Sequence, residues 1–203
     1  MSQNGADSRS PYPFLRSKGV AQDSIKTSGL RWTILRPSVI FGPEDQFVNI
    51  LGRLIRLTPK IFPLPNGGKA RFQPIAVDDV ARVVRLSLEK KQSVGQVYEL
   101  GGSVPLTLRE MTERILVAMG TDRRLVPVPV KVLRPIVALA QRILPNPPVT
   151  SGLLDLLSLD NTVANNALTE TFKIVPVPFA GDELQYLRRI TARNALRSLF
   201  ERR

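Results

Sequence analysis

Apolar residues change their spacing several times along the chain, and each change marks an element. Residues 1–11 are polar and rich in Ser, Asn and Asp, and they read as a loop feeding a helix over 12–27 that stops near Gly29. The run Arg31-Trp32-Thr33-Ile34-Leu35-Arg36 is short, apolar and partly β-branched, which suits a strand buried on both faces, as in a parallel sheet. Pro37 ends it. Gly42-Pro43 opens a loop, after which Phe47, Ile50, Leu51, Leu54 and Ile55 fall on one face of a helix. Pro63 to Gly68 reads as a turn-rich loop, and Arg71 to Val77 as an extended segment. Asp78 and Asp79 start a helix carrying Val80, Val83, Val84 and Leu88, where the helix dipole favours acids in the first turn. Gln96 to Leu100 is a short strand, and Thr107-Leu108-Arg109-Glu110 is a capping box for a helix that stops at Gly120.

The character shifts from Leu125 onward. Prolines at 127, 129, 135, 145, 147 and 148 separate three apolar helical stretches, Val130–Leu144, Ser151–Leu159 and a basic terminal helix Asp182–Phe200. The pattern predicts an α/β region over 1–124 and a mostly helical C-terminal lobe over 125–203. Alternating helices and short buried strands point to a Rossmann-like, doubly wound parallel sheet. Only three or four strands are present, and no Gly-x-Gly-x-x-Gly turn joins a strand to a helix, so the sheet reads as incomplete, lacking its N-terminal half.

Composition narrows the chemistry. Cys and His are both absent, which excludes disulfides, thiolate sites and hydrolytic triads, removes the commonest zinc ligands and predicts no metal site. Carboxylates, Tyr, Lys and Ser remain for proton transfer. Asp78 and Asp79 read as helix-start residues in preference to catalytic ones. Lys and Arg outnumber Asp and Glu by 29 to 17, and the resulting +12 favours anionic partners. Arg189, Arg193 and Arg197 repeat along the terminal stretch without interleaved aromatics, so they read as a solvated face and no nucleic-acid partner is expected. Val130–Leu144 pairs an apolar stripe with Lys131, Arg134 and Arg142; packing into the protein is the default, and a membrane-surface or partner-helix role is the alternative. No apolar run spans a bilayer and no signal-peptide pattern is present, which predicts a cytoplasmic protein, or one peripheral at the membrane.

Several blocks, in order, resemble the extended and atypical short-chain dehydrogenase/reductases, the NAD-dependent epimerase/dehydratase superfamily. They are Phe14-Leu15-Arg16-Ser17-Lys18, Gly29 to Ser38, Phe41-Gly42-Pro43, Phe72-Gln73-Pro74-Ile75-Ala76-Val77-Asp78-Asp79-Val80-Ala81, and Tyr98 to Gly102 followed by Leu106 to Glu110. The Phe-Gln-Pro form of the fourth block is similar to the branch containing the nucleotide-binding accessory subunit of respiratory complex I. The resemblance implies an NAD or NADP cofactor, and makes residues 1–124 the C-terminal part of an NAD(P)-binding domain, with 125–203 a substrate-side or partner-binding lobe. It also implies a Tyr-x-x-x-Lys pair for proton transfer, with the lysine also holding the nicotinamide ribose, and an upstream serine that polarises the substrate oxygen. Lys18 fits the lysine, Ser2 stands near the serine spacing, and Phe14 occupies the tyrosine position. Arg36, Pro37 and Ser38 would lie beside the nicotinamide. Tyr12 is no substitute for Phe14, because six residues of helix put it roughly 240° away from Lys18.

These residues imply an atypical NAD(P)-binding protein with weak or no catalysis and a scaffolding or nucleotide-sensing role. The alternatives are a reductase or epimerase when intact, and a membrane-surface or complex-associated protein that uses no nucleotide. The chain alone is expected to bind the dinucleotide weakly, to meet a membrane or respiratory-complex partner, and to self-associate through a bare edge of strand Arg31–Arg36.

Overall fold

A computed structural model describes residues 1–200. Its helices are α1 (Pro13–Lys26), α2 (Val48–Leu57), α3 (Val77–Glu89), α4 (Leu108–Ala118), α5 (Val130–Ile143), α6 (Ser151–Leu156), α7 (Ala167–Glu170) and α8 (Ala192–Ser198). Its strands are β1 (Thr33–Pro37), β2 (Ile40–Phe41), β3 (Ile61–Pro65), β4 (Arg71–Phe72), β5 (Ile75–Ala76), β6 (Gln96–Leu100), β7 (Leu106–Thr107) and β8 (Arg124–Val128). The protein is α/β with parallel strand pairs, and the elements from Val130 to Ser198 are all helical.

Two compact units divide the chain discontinuously. The first comprises residues 1–40, 72–105 and 161–178, and the second 41–71, 106–160 and 179–203. The boundary expected between 124 and 125 falls inside the second unit, because β8 pairs in parallel with β3, with Ile61 opposite Arg124.

In the first unit β1 and β6 run parallel, with Leu35 opposite Tyr98. Residues 2–4 lie along the other edge of β1: the N–H of Ser2 donates to the Leu35 carbonyl at 2.8 Å, and that of Asn4 to the Pro37 carbonyl at 2.9 Å. The bare edge expected for this strand is therefore filled on both sides, and Ile34 and Leu35 are buried. Leu35, Ile75, Val80, Val83, Leu100, Leu168 and Phe172 form its core. Asp79 at the start of α3 is buried, and its Oδ2 accepts from the N–H of Val177 at 2.8 Å, so it ties the segment after α7 to this unit.

In the second unit α2, α4 and the 3-10 turn over Gly181–Arg189 pack around Leu51, Ile55, Met111, Ile115, Leu184 and Leu187. The capping box forms as expected. Thr107 Oγ1 accepts from the Glu110 N–H at 3.1 Å, and the returning N–H of Thr107 holds the Glu110 carboxyl below its ordinary range. Two expectations are corrected here. Pro63 to Pro65 belongs to a strand and not to a turn. The two prolines sit at alternate positions, so their missing N–H groups share one edge, while the ladder, which begins with the Arg124 N–H donating to the Lys60 carbonyl at 3.0 Å, uses the other. The terminal stretch is not one helix. It breaks at Ile190, and Thr191 caps a new helix by accepting from the N–H of Asn194 at 3.2 Å, which puts Arg189 and Arg193 on separate helices.

Candidate functional site

The candidate site lies in the first unit, around α1 and the carboxyl ends of residues 2–4, β1 and β6, the end at which open parallel sheets bind ligands. Pro13 fixes the first turn of α1 and holds Tyr12 before it extended, so the helix begins one residue later than expected and Tyr12 lies outside it. Phe14 and Lys18 share a helix face, with the Lys18 ammonium 5.7 Å from the centre of the Phe14 ring. Phe14 is 44% exposed, so the ring occupies an accessible position without a hydroxyl to offer. The Lys18 ammonium makes no hydrogen bond or ion pair among the described residues, which leaves its donors open.

Ser2 and Arg36 are joined through a side chain that sequence reasoning passed over. Gln22 on α1 is 2% exposed; its Nε2 donates to Ser2 Oγ, and its Oε1 accepts from Arg36 Nε at 2.9 Å and also from Arg36 Nη2. Because Ser2 Oγ receives a hydrogen bond there, its own O–H stays free to donate, and the donation it receives polarises that O–H. The residue's place in the polar pattern of α1 carried no sign of burial, and only the folded contact reveals it.

Pro37 and Ser38 stand at the carboxyl end of β1 and are occupied in holding it. The Ser38 N–H donates to the Leu100 carbonyl at 2.8 Å; its hydroxyl donates to the Asn161 carbonyl at 2.6 Å and accepts from the Gln73 N–H at 3.2 Å. Amide side chains continue this seam. Asn166 clamps the peptide groups of Gly101 in both directions, at 3.1 and 2.9 Å, and Asn4 Nδ2 donates to Asn161 Oδ1 at 3.1 Å and to the Thr162 carbonyl at 2.8 Å. Residues 161–166 thus close over all three strand ends, although the sequence pattern assigned them to a separate lobe. Gly102 is required at this seam, since a Cβ there would stand 1.7 Å from the Pro74 carbonyl oxygen.

A second polar cluster was also missed, in the other unit. Asp45 accepts from the N–H groups of Phe47, Val48 and Asn49 at 2.8, 2.5 and 3.1 Å, and from the Tyr186 hydroxyl at 3.0 Å. Burial pushes the Asp45 carboxyl up despite these bonds, and burial beside that carboxylate pushes the Tyr186 phenol up further. The Tyr186 hydroxyl, donating to Asp45, tethers the loop before α2.

Among the described residues no group of three or more acidic side chains is placed to hold a metal ion, and no helix is long and apolar enough to cross a membrane. The fold matches those of solved epimerases, dehydratases and a reductase. Triphenylmethane reductase of Citrobacter sp. superposes with a TM-score of 0.70 at 16% identity, over 94% of this chain and 64% of that one. dTDP-glucose 4,6-dehydratase of Bacillus anthracis, solved in complex with NAD, superposes with a TM-score of 0.55 at 22% identity, over 87% of this chain and 50% of that one. The class is therefore the Rossmann-like fold of the NAD-dependent epimerases and dehydratases.

No protein-family model matches the chain. In sequence it is 28% identical over 193 residues to the mitochondrial NADH dehydrogenase (ubiquinone) 1 alpha subcomplex subunit 9 of Arabidopsis thaliana, covering 90% of this chain and 48% of that protein. In fold the chain resembles the extended and atypical short-chain dehydrogenase/reductases, and in sequence it is similar to complex I accessory subunits. The chain spans about half the length of the curated relatives it matches.

Proposed function

We propose that the chain is the substrate-side portion of an NAD(P)-binding, epimerase/dehydratase-like protein that has weak or no catalysis and serves a scaffolding or nucleotide-sensing role. The observation that carries this is Phe14. It shares a helix face with Lys18, at the position where the resemblance implies a proton-donating tyrosine, and a phenyl ring has no proton to give.

The residues present fit one end of the dinucleotide. Lys18 has open ammonium donors for the hydroxyls of the nicotinamide ribose, and Ser2 has a free O–H for a substrate oxygen, with Gln22 and Arg36 fixing its position. The cofactor, when bound, supplies the hydride. Nothing in the chain matches the glycine turn that cradles a pyrophosphate, so the chain by itself holds the dinucleotide weakly. Arg36 acts through Gln22, while Pro37 and Ser38 shape the floor of the site from the end of β1.

The test is turnover. Purified protein, incubated with NADH or NADPH and a panel of ketones, aldehydes and nucleotide sugars, is expected to show no substrate-dependent change in nicotinamide absorbance. Phe14→Tyr is expected to leave the fold intact and produce no ordinary enzyme rate, since a hydroxyl alone does not build a substrate pocket. Turnover by the wild-type protein at about 1 s⁻¹ or faster, the ordinary enzyme range, would mean that Phe14 is no disabled position.

A further inference from the structure

Helix α5 buries none of its residues, yet it is among the most apolar segments of the chain. At ~100° per residue, Val132, Ile136, Leu139 and Ile143 fall within about 60° of one another. They are 53%, 60%, 59% and 69% exposed. A different stripe, Leu133, Val137, Ala140 and Leu144, is half-buried and takes the side toward α6, where Arg134 Nη2 meets Asp155 Oδ1 at 2.7 Å and Gln141 accepts from Ser151. The helix is thus anchored by one face and offers a second, continuous apolar face to the outside.

Charge says what that face meets. From Arg123 to Leu154 the chain carries five cations and no carboxylate. Lys131 and Arg142 stand about 80° to one side of the exposed stripe, on the edge away from α6, and neither is in an ion pair among the described residues. The same 32 residues contain no aromatic side chain, so there is nothing for a nucleic-acid base to stack on. A second copy of a chain with net charge +12 would be repelled from this region. The hydrogen bonds from Asn146 to Leu199 and Ser198 bring the end of α8 beside the end of α5, where Phe200 is 65% exposed.

We infer that α5 is a membrane-surface helix that lies along an anionic bilayer, with Val132, Ile136, Leu139 and Ile143 in the acyl boundary and Lys131 and Arg142 at the phosphates. An apolar stripe with basic flanks and no acids is the composition that lies in the plane of a membrane without crossing it. This rests on the helix alone and stands whether or not the chain holds a nucleotide.

The full chain is to be floated with phosphatidylcholine vesicles, with and without phosphatidylglycerol, at low and high salt. It is expected to float with the anionic vesicles at low salt, to float at least about tenfold less with phosphatidylcholine alone, and to be partly released by high salt. Ile136→Glu with Leu139→Glu is expected to abolish flotation. Both positions face away from the packing stripe, so an unchanged thermal midpoint accompanies the loss. Lys131→Glu with Arg142→Glu is expected to weaken binding at least about tenfold, whereas Lys26→Glu with Lys91→Glu, a pair that belongs to the other unit, changes it by no more than about threefold. Four results overturn the inference: no flotation with anionic vesicles; flotation untouched by Ile136→Glu with Leu139→Glu; an equal fall for both charge-reversed pairs, which marks diffuse attraction; or a sedimenting dimer that those two substitutions dissolve, which assigns the face to a second copy.

Discussion

Gly19→Ala is expected to destabilise the protein by about 3 kcal/mol or more, the upper end of what overpacking costs. A Cβ at Gly19 would stand 2.1 Å from the backbone nitrogen of Ser8 and 2.2 Å from the carbonyl carbon of Asp7. Both are main-chain atoms, so no side chain can rotate out of the way. The turn they belong to is fixed as well: the Asp7 N–H donates to the Leu15 carbonyl at 3.3 Å, and Asp7 accepts from the N–H of Ser10 at 3.0 Å and, through Oδ1, from that of Arg9 at 2.9 Å. Relief therefore requires α1 to lift from residues 2–10, which separates Lys18 and Gln22 from Ser2. Val20→Ala, one residue on and exposed, is expected to shift stability by no more than about 0.5 kcal/mol. Urea midpoints at unchanged slope measure both, and near-equal midpoints for the two variants would mean that α1 does not press on this turn.

Gln22→Leu is expected to cost about 2 kcal/mol, because a buried amide leaves and its partners stay behind. Ser2 Oγ loses its donor, and the Arg36 guanidinium, held between α1 and β1, loses its acceptor. Leucine fills nearly the same volume, so the loss isolates hydrogen bonding from packing. Gln22→Glu keeps an acceptor for Arg36 and adds opposite charge, while giving up the donor to Ser2, and it is expected to cost less than half as much. Equal losses in the two variants would show that Gln22 acts by shape alone.

Local chemistry made much of this fold legible. Pro13 and Gly29 bracket α1, the Thr107–Glu110 box opens α4, and a short, partly β-branched run around Ile34 and Leu35 marks β1, each a signal contained within a few residues. Long-range pairing was not legible. Pro63 and Pro65 read as turn residues because the edge their missing N–H groups face depends on a partner strand about sixty residues away. The return of residues 161–178 to the first unit rests on the Asn166 clamp and on the Val177 N–H meeting Asp79, contacts with no periodicity to announce them. At the site, Lys18 and Phe14 were visible because a spacing of four carries their geometry. Gln22 was not, since its burial is set by Ser2 and Arg36, twenty residues before it and fourteen after it. The bare edge expected for β1 was wrong for the same reason: residues 2–4 read as loop, and their alignment along β1 is decided by backbone bonds that no side-chain pattern encodes.

The proposed role, holding a nucleotide beside an inert proton-donor position, is read out by nicotinamide binding itself. Calorimetry of the purified protein with NAD(H) and NADP(H) is predicted to show about one dinucleotide bound per chain, with a dissociation constant weaker than about 1 μM, and Lys18→Ala is predicted to weaken that binding at least about fivefold through loss of the proposed ribose contact. Protein that binds no nicotinamide at millimolar NAD(H) or NADP(H) would contradict that role and leave a structural, nucleotide-free one in its place.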